Sequence, residues 1–321
     1  MNVLLGHDEA WREFRGALGS ERLHHAWILG GRRGLGKGKF ARQAARELVD
    51  AGGATPHVGD NHPDILVLGH LPANDEEERK RDEGKPFQLR RNITVDQVRR
   101  MQQRLFTRPT LGSRRAIVID PADDLEKGAV NALLKSLEEP PAGTFFLLVA
   151  HRPGRLLPTI RSRCRTLMFA PLDEAALDTV IREEAPQAAA QARQAAMAAA
   201  NGSPGAALAF LDRDLAPIDA LYRKILDSGD GDLALRGMLA EALGGKLDRE
   251  RLAAALDLAG SALAGALPAA DRERQLRIIA ANARIGQLAA RAPTYNFDAG
   301  LLMMEIGGLL ASAALPREAR T

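Results

Sequence analysis

Two clusters of residues have types and spacings suited to phosphate chemistry. The first is Gly31-Arg32-Arg33-Gly34-Leu35-Gly36-Lys37-Gly38. Its first seven positions fit the phosphate-binding loop G-x-x-x-x-G-K-[ST]. Glycines let the backbone wrap a phosphate, a following helix N-terminus aims N–H groups at it, and Lys37 adds a positive charge. The eighth position is Gly38, so the hydroxyl that would hold Mg²⁺ is missing. A plain glycine-rich turn between strand and helix is the other reading of these residues. The second cluster is Ser162-Arg163-Cys164. A guanidinium at a subunit edge has the planar fork that matches phosphate oxygens and stabilises charge as a phosphoryl group departs. Taken alone, Arg163 is better explained as a surface arginine or a salt bridge. Cys164 has no evident histidine partner and reads as a small core residue.

Asp120 stands between these clusters, at the end of the apolar run Ala116–Ile119. A carboxylate there either serves a metal or caps the strand. Pro121 follows it, where a hydrolysing ATPase of this pattern carries a glutamate to orient the attacking water. Asp123 comes two residues too late to replace that glutamate.

These residues need a scaffold of strands and helices. Short apolar runs occur at Ala26–Leu29, Ile65–Leu68, Ala116–Ile119, Phe145–Val149 and Leu167–Phe169. Each is strand length, and most are bounded by Gly, Pro or Asp. Near-continuous apolar strands separated by helices imply a parallel sheet covered on both faces. Between the last strands, Val130, Leu133, Leu134 and Leu137 mark one buried stripe of a helix over Glu126–Glu139. Pro140 and Pro141 end it. The run from Asn74 to Arg91 holds six acids and six bases with almost no apolar residue, and reads as a solvated loop.

After Pro171 strand signals nearly vanish and Ala and Leu dominate. Residues 171–213 read as a small helical unit broken at Asn201–Gly205, with an ordinary helix in the Ala-rich run Ala185–Ala200. Residues 214–321 are punctuated at Ser228–Gly231, Gly244–Gly245, Pro268 and Pro293, which leaves about five helices. The last, over Asp298–Leu315, is apolar on most faces and expected to be buried.

Composition limits the rest. The 321 residues are 45% apolar and 26% charged, the balance of a soluble multidomain chain. No run approaches the roughly 20 apolar residues of a membrane span. Met1–Trp11 carries Asp8 and Glu9 and no signal-peptide core, so the expected location is the cytoplasm. One cysteine excludes an internal disulfide and a multi-cysteine zinc site. A net charge of +3 neither requires nor forbids nucleic acid, and 4% aromatics argue against a broad base-stacking surface.

Taken together, HHAWILGGRRGLGKG, AIVIDPADDLEKGAVNALLKSLEEPP and LLPTIRSRC resemble the AAA+ clamp-loader ATPases, and within them the bacterial delta-prime type. NALLKSLEEPP and PTIRSRC are the specific part. The resemblance implies an AAA+ α/β domain over 1–170, a helical lid over 171–213 and an all-α collar over 214–321 that holds a ring. It aligns Arg163 with an arginine that acts in trans on a neighbour's ATP. It implies as partners gamma/tau-type and delta subunits, a sliding clamp, and primer–template DNA gripped by the assembled complex. Departures from the active paralogue point to a subunit that does not hydrolyse ATP. Gly38 replaces the Mg²⁺-binding residue, Pro121 the catalytic glutamate, and Gly205 the arginine of the second-sensor segment Asn201–Ala207. The expectation is a degenerate site at Gly31, Gly34, Gly36, Lys37, Gly38 and Asp120. It would need no cofactor and keep only weak phosphate affinity. The four-cysteine zinc module of many clamp-loader subunits is absent from the sequence, so no metal is expected.

Overall fold

The architecture follows from a computed structural model, which describes residues 5–20, 23–53, 62–243, 249–292 and 297–315. The sequence breaks expected at Gly244–Gly245 and Pro293 lie outside the described residues. The chain divides into two compact units, Met1–Ala170 and Pro171–Thr321.

The first unit begins with α1 (Asp8–Leu18), β1 (Ala26–Gly30), α2 (Lys37–Asp50) and β2 (Ile65–Leu68). It continues through α3 (Asp75–Asp82), α4 (Val95–Leu105), β3 (Arg115–Ile119) and α5 (Lys127–Glu138). It closes with β4 (Thr144–Ala150), α6 (Pro158–Arg161) and β5 (Arg165–Met168). The five strands form one parallel sheet in the order β2-β3-β4-β1-β5. The glycine-rich loop Gly31–Lys37 lies at the C-terminal end of β1, where open parallel α/β sheets place their ligands.

Alternation along the buried strands makes two cores. Trp27, Leu29, Val118, Leu147 and Val149 pack with α1 and α2 on one face. Ile28, Ile117, Ile119, Phe146 and Leu148 pack with α4, α5 and α6 on the other. Every residue of β1, β3 and β4 is buried, whereas the edge strands β2 and β5 are partly exposed. That is why the sequence showed continuous apolar runs and not alternating ones. The last strand starts two residues earlier than expected, because Arg165 and Thr166 pair with Trp27 and Ile28 at the polar edge.

The charged run after Asn74 is not a loop throughout. Residues Asp75–Asp82 form α3, with the Asn74 side chain accepting from the Glu77 amide. Acids crowd its first turn and bases its last, as the helix dipole favours. Lys80 reaches both Glu76 and Glu77, and a Glu77 oxygen accepts the Gln88 amide at 2.6 Å. Charge order along the run, not apolar periodicity, specifies this helix.

A buried charge pair fixes the chain between α4 and β3. Asp64 accepts the Thr110 and Leu111 amides at 2.6 and 2.8 Å, and Arg115 donates to the carbonyls of Arg104, Thr107 and Arg108. The two charges lie 3.7 Å apart.

The second unit contains α7 (Glu174–Glu184), α8 (Ala190–Ala200), α9 (Pro204–Asp212) and α10 (Ala216–Ser228). Then come α11 (Ala234–Leu243), α12 (Arg249–Ala266), α13 (Arg272–Arg291) and α14 (Ala299–Ser312). Asn201 and Gly202 take positive φ between α8 and α9, where the break was expected. The stretches 171–213 and 214–321, expected as two separate domains, share one apolar core that runs from Leu172 to Ala313. Within it α14 buries Leu302, Met303, Ile306 and Leu310. No described helix is long and apolar enough to cross a membrane.

Candidate functional site

The loop Gly31–Lys37 links β1 to α2, and two glycines show why the sequence demands them. Gly31 has φ +148°, and a Cβ there would meet the Phe169 carbonyl oxygen at 2.7 Å. Gly36, the N-cap of α2, has φ 81°, in the left-handed region that side chains avoid. The loop is also closed by His7, whose Nε2 lies 2.7 Å from the Leu35 carbonyl and whose ring meets Phe169 edge-on. Burial lowers the His7 pKa.

Lys37 is buried and turned into its own loop. Its Nζ donates to the Gly31 carbonyl at 2.7 Å and to the Arg32 carbonyl at 2.5 Å. Burial lowers its pKa to about 8, against the attraction of Asp123 and Asp120. The ammonium that would meet a phosphate is thus held by the carbonyls of the loop itself.

Asp120 lies against the start of α2. A Cβ built on Gly38 would stand 2.4 Å from Asp120 Oδ2. The space that a Ser or Thr would need at position 38 is filled by the carboxylate, so absent hydroxyl and present aspartate are complementary shapes. Burial raises the Asp120 pKa, with Arg42 and Lys37 opposing. This donor set does not fit Mg²⁺: the hydroxyl ligand is missing and the carboxylate is packed where its side chain would be. Among the described residues no three His, Cys, Asp or Glu gather as a metal-binding group.

Asp123 and His151 complete this corner. Both carboxylate oxygens of Asp123 accept backbone amides, Oδ2 from His151 at 2.5 Å and Oδ1 from Arg152 at 3.0 Å. Asp123 is therefore a clasp on the turn after β4, not a substitute for the missing glutamate. His151 keeps its Nδ1 buried without a hydrogen-bond partner. Burial, with Lys37 and Arg33 adding repulsion, lowers its pKa to about 4. In the sequence His151 is marked as the first polar residue after the apolar run Phe145–Val149 and Ala150.

Arg163 is engaged elsewhere, just beyond the short helix α6. Its Nη1 donates to the Thr159 carbonyl at 2.9 Å, and its Nη2 lies 2.8 Å from Glu138 Oε1. The two flanking arginines differ from it. Arg165 pairs with Glu13 and lies over the Trp27 ring, and Arg161 is exposed. Cys164 is partly buried, and burial pushes its thiol up to about 12, so it is no nucleophile at neutral pH. In the second unit Gly205 is the second residue of α9, whose N-cap Ser203 accepts from the Ala206 amide. Asn201 donates to the Ser261 carbonyl at 2.7 Å.

Residues 6–173 match the family described as DNA polymerase III, delta subunit. The chain is similar to the DNA polymerase III subunit delta' of Escherichia coli K12, 40% identical over 204 residues, 60% of this chain and 56% of that protein. It is 34% identical to the same subunit of Pseudomonas aeruginosa over 200 residues, 58% of this chain and 56% of that protein. The aligned part thus spans about half the length of these relatives. A gamma/tau subunit of Mycobacterium tuberculosis is 29% identical over 214 residues, 62% of this chain and 34% of that protein.

Proposed function

The chain belongs to the DNA polymerase III delta subunit family, and on that premise we propose that it is a delta-prime-type subunit of a clamp loader, a buttress without ATPase activity. The observation that carries this reading is the packing of Asp120 against Gly38. Two further features support it: Lys37 donates to its own loop, and position 121 is a proline. A P-loop with no Mg²⁺ hydroxyl and no carboxylate for water lacks the groups that position the reactants of phosphoryl transfer. Phosphate affinity would be weak, since Lys37 must first leave the Gly31 and Arg32 carbonyls.

The chemical contribution of the chain would lie in Arg163. In an assembled ring Arg163 would reach the γ-phosphate on an adjacent gamma/tau-type subunit and stabilise the charge that develops as it departs. The other partners proposed are a delta subunit, a sliding clamp and primer–template DNA held by the complex. The ring opens the clamp while its ATP is intact and releases it after hydrolysis. No cofactor is needed on this chain, and the site of action is the cytoplasm.

The test is reconstitution with gamma/tau-type and delta subunits. The isolated chain should not turn over ATP. Arg163→Ala should leave assembly intact and lower DNA-stimulated turnover partially, because one of several sites loses its arginine. Vigorous turnover by the isolated chain, lost on Lys37→Ala, would instead select an active gamma/tau-type motor. Unchanged turnover and clamp loading with Arg163→Ala would reduce the chain to a passive partner.

A further inference from the structure

We propose that Glu138 is the positioning residue for Arg163, resting on the reading of Arg163 just given. The two most distinctive segments of the sequence, NALLKSLEEPP and PTIRSRC, meet in this one pair. Glu138 is the last residue of α5, and Pro140 stops the helix there. The end of α5 is anchored on three sides. Leu137 is buried in the core, His25 Nε2 lies 3.0 Å from the Leu137 carbonyl, and Gln102 donates to Ser136 at 3.0 Å. His25 belongs to HHAWILGG, so a third quoted segment holds the residue next to Glu138. The platform under Arg163 is equally fixed, since Ile160 of α6 is fully buried.

The guanidinium is held from both platforms. Thr159 takes Nη1 at 2.9 Å, with Ser162 Oγ at 3.4 Å, and Glu138 takes Nη2 at 2.8 Å. Of the five donors of an arginine, these contacts leave Nε–H and one Nη2 N–H for phosphate oxygens. An unpaired exposed arginine samples many rotamers, and each encounter with a phosphate must freeze them. Glu138 lowers that ordering cost in advance, as a preorganised group in a catalytic site requires. The contact is partly exposed on both sides, so its contribution to folding is small and its effect falls on the geometry of Arg163.

The experiment compares DNA-stimulated ATP turnover of complexes reconstituted with wild-type chain, Glu138→Ala, Glu138→Gln, Arg163→Ala and the Glu138→Ala/Arg163→Ala double variant. Glu138→Ala should reduce the Arg163-dependent part of kcat roughly two- to fivefold, the range of an exposed ion pair, with KM for ATP unchanged. Glu138→Gln keeps an acceptor oxygen and should retain most of the rate. In the Arg163→Ala background, Glu138→Ala should change nothing further. Three results would overturn the assignment of Glu138 while leaving Arg163 in its role: a rate raised by Glu138→Ala, a rate unaffected by it, or an equal loss with and without Arg163. If Arg163→Ala itself has no effect, the role of Arg163 fails and that of Glu138 fails with it.

Discussion

Restoring the missing hydroxyl by Gly38→Ser should weaken the first unit without restoring metal-nucleotide binding. A Cβ at position 38 stands 2.4 Å from Asp120 Oδ2, and ordinary contact begins at 3.4 Å, so a displacement of about 1 Å is required. Asp120 is half-buried just after a fully buried strand, so its carboxylate must turn away from position 38 to make room. Overpacking of this kind costs about 1–3 kcal/mol. Replacing a helical glycine returns roughly 0.5 kcal/mol of backbone entropy. The net loss is about 0.5–2.5 kcal/mol. Both tryptophans of the chain, Trp11 and Trp27, lie in the first unit, so their fluorescence reports its unfolding. With a urea dependence of about 1–3 kcal/mol per molar, the midpoint should fall by roughly 0.2 to 2.5 M. In a double-mutant cycle with Asp120→Ala, most of the loss should disappear, because the obstructing carboxylate is gone. An unchanged or raised midpoint for Gly38→Ser, or tight Mg²⁺-dependent ATP binding by it, would refute the argument. A loss that persists in the Asp120→Ala background would place the conflict elsewhere.

Other expectations follow from the same structure. The Lys37 pKa falls from its ordinary 10.5 to about 8, so between those values the unfolded chain holds a proton that the folded chain has released. Stability of the first unit should therefore rise from pH 8 towards 10.5, by on the order of 3 kcal/mol, and Lys37→Met should flatten the rise seen in urea midpoints. His151 gives a slope of the same sign at lower pH: its pKa drops from 6.5 to about 4, so stability should fall as pH is lowered through that window, with His151→Asn reducing the slope. Arg274 is buried on α13 and donates to Ala313 and Leu226, carbonyls near the ends of α14 and α10. Arg274→Ala takes this donor from the Ala313 carbonyl, whereas the Leu226 carbonyl keeps the Leu315 amide, and should cost the second unit about 1–3 kcal/mol, measured by thermal unfolding in far-ultraviolet circular dichroism. Leu276 and Ile279 are 63% and 55% exposed on one face of α13, whereas the apolar side chains of α14 are largely internal. If the second unit assembles through that face, Leu276→Asp should weaken co-purification with gamma/tau-type subunits while leaving the melting temperature unchanged.

The sequence by itself determined the elements and the losses. Apolar runs of strand length could only become a buried parallel sheet, because β1, β3 and β4 have no polar side facing water. Gly38 and Pro121 are legible without a structure, since the chemistry they remove depends on residue type at a fixed spacing from Lys37 and Asp120. Helix α3 was missed because apolar periodicity does not encode it; ion pairs three and four residues apart and an asparagine cap do. The start of β5 is not legible in apolar runs because an edge strand accepts Arg165 and Thr166 beside Trp27 and Ile28. What only the tertiary structure decided are contacts between residues distant in the chain. Asp120 meets Gly38 across 82 positions, Asp123 clasps the turn at His151, and Glu138 holds Arg163 across 25. No local rule links such pairs. They become neighbours because the order β2-β3-β4-β1-β5 brings the ends of β3 and β4 beside the loop that follows β1, and because Pro140 ends α5 where α6 passes.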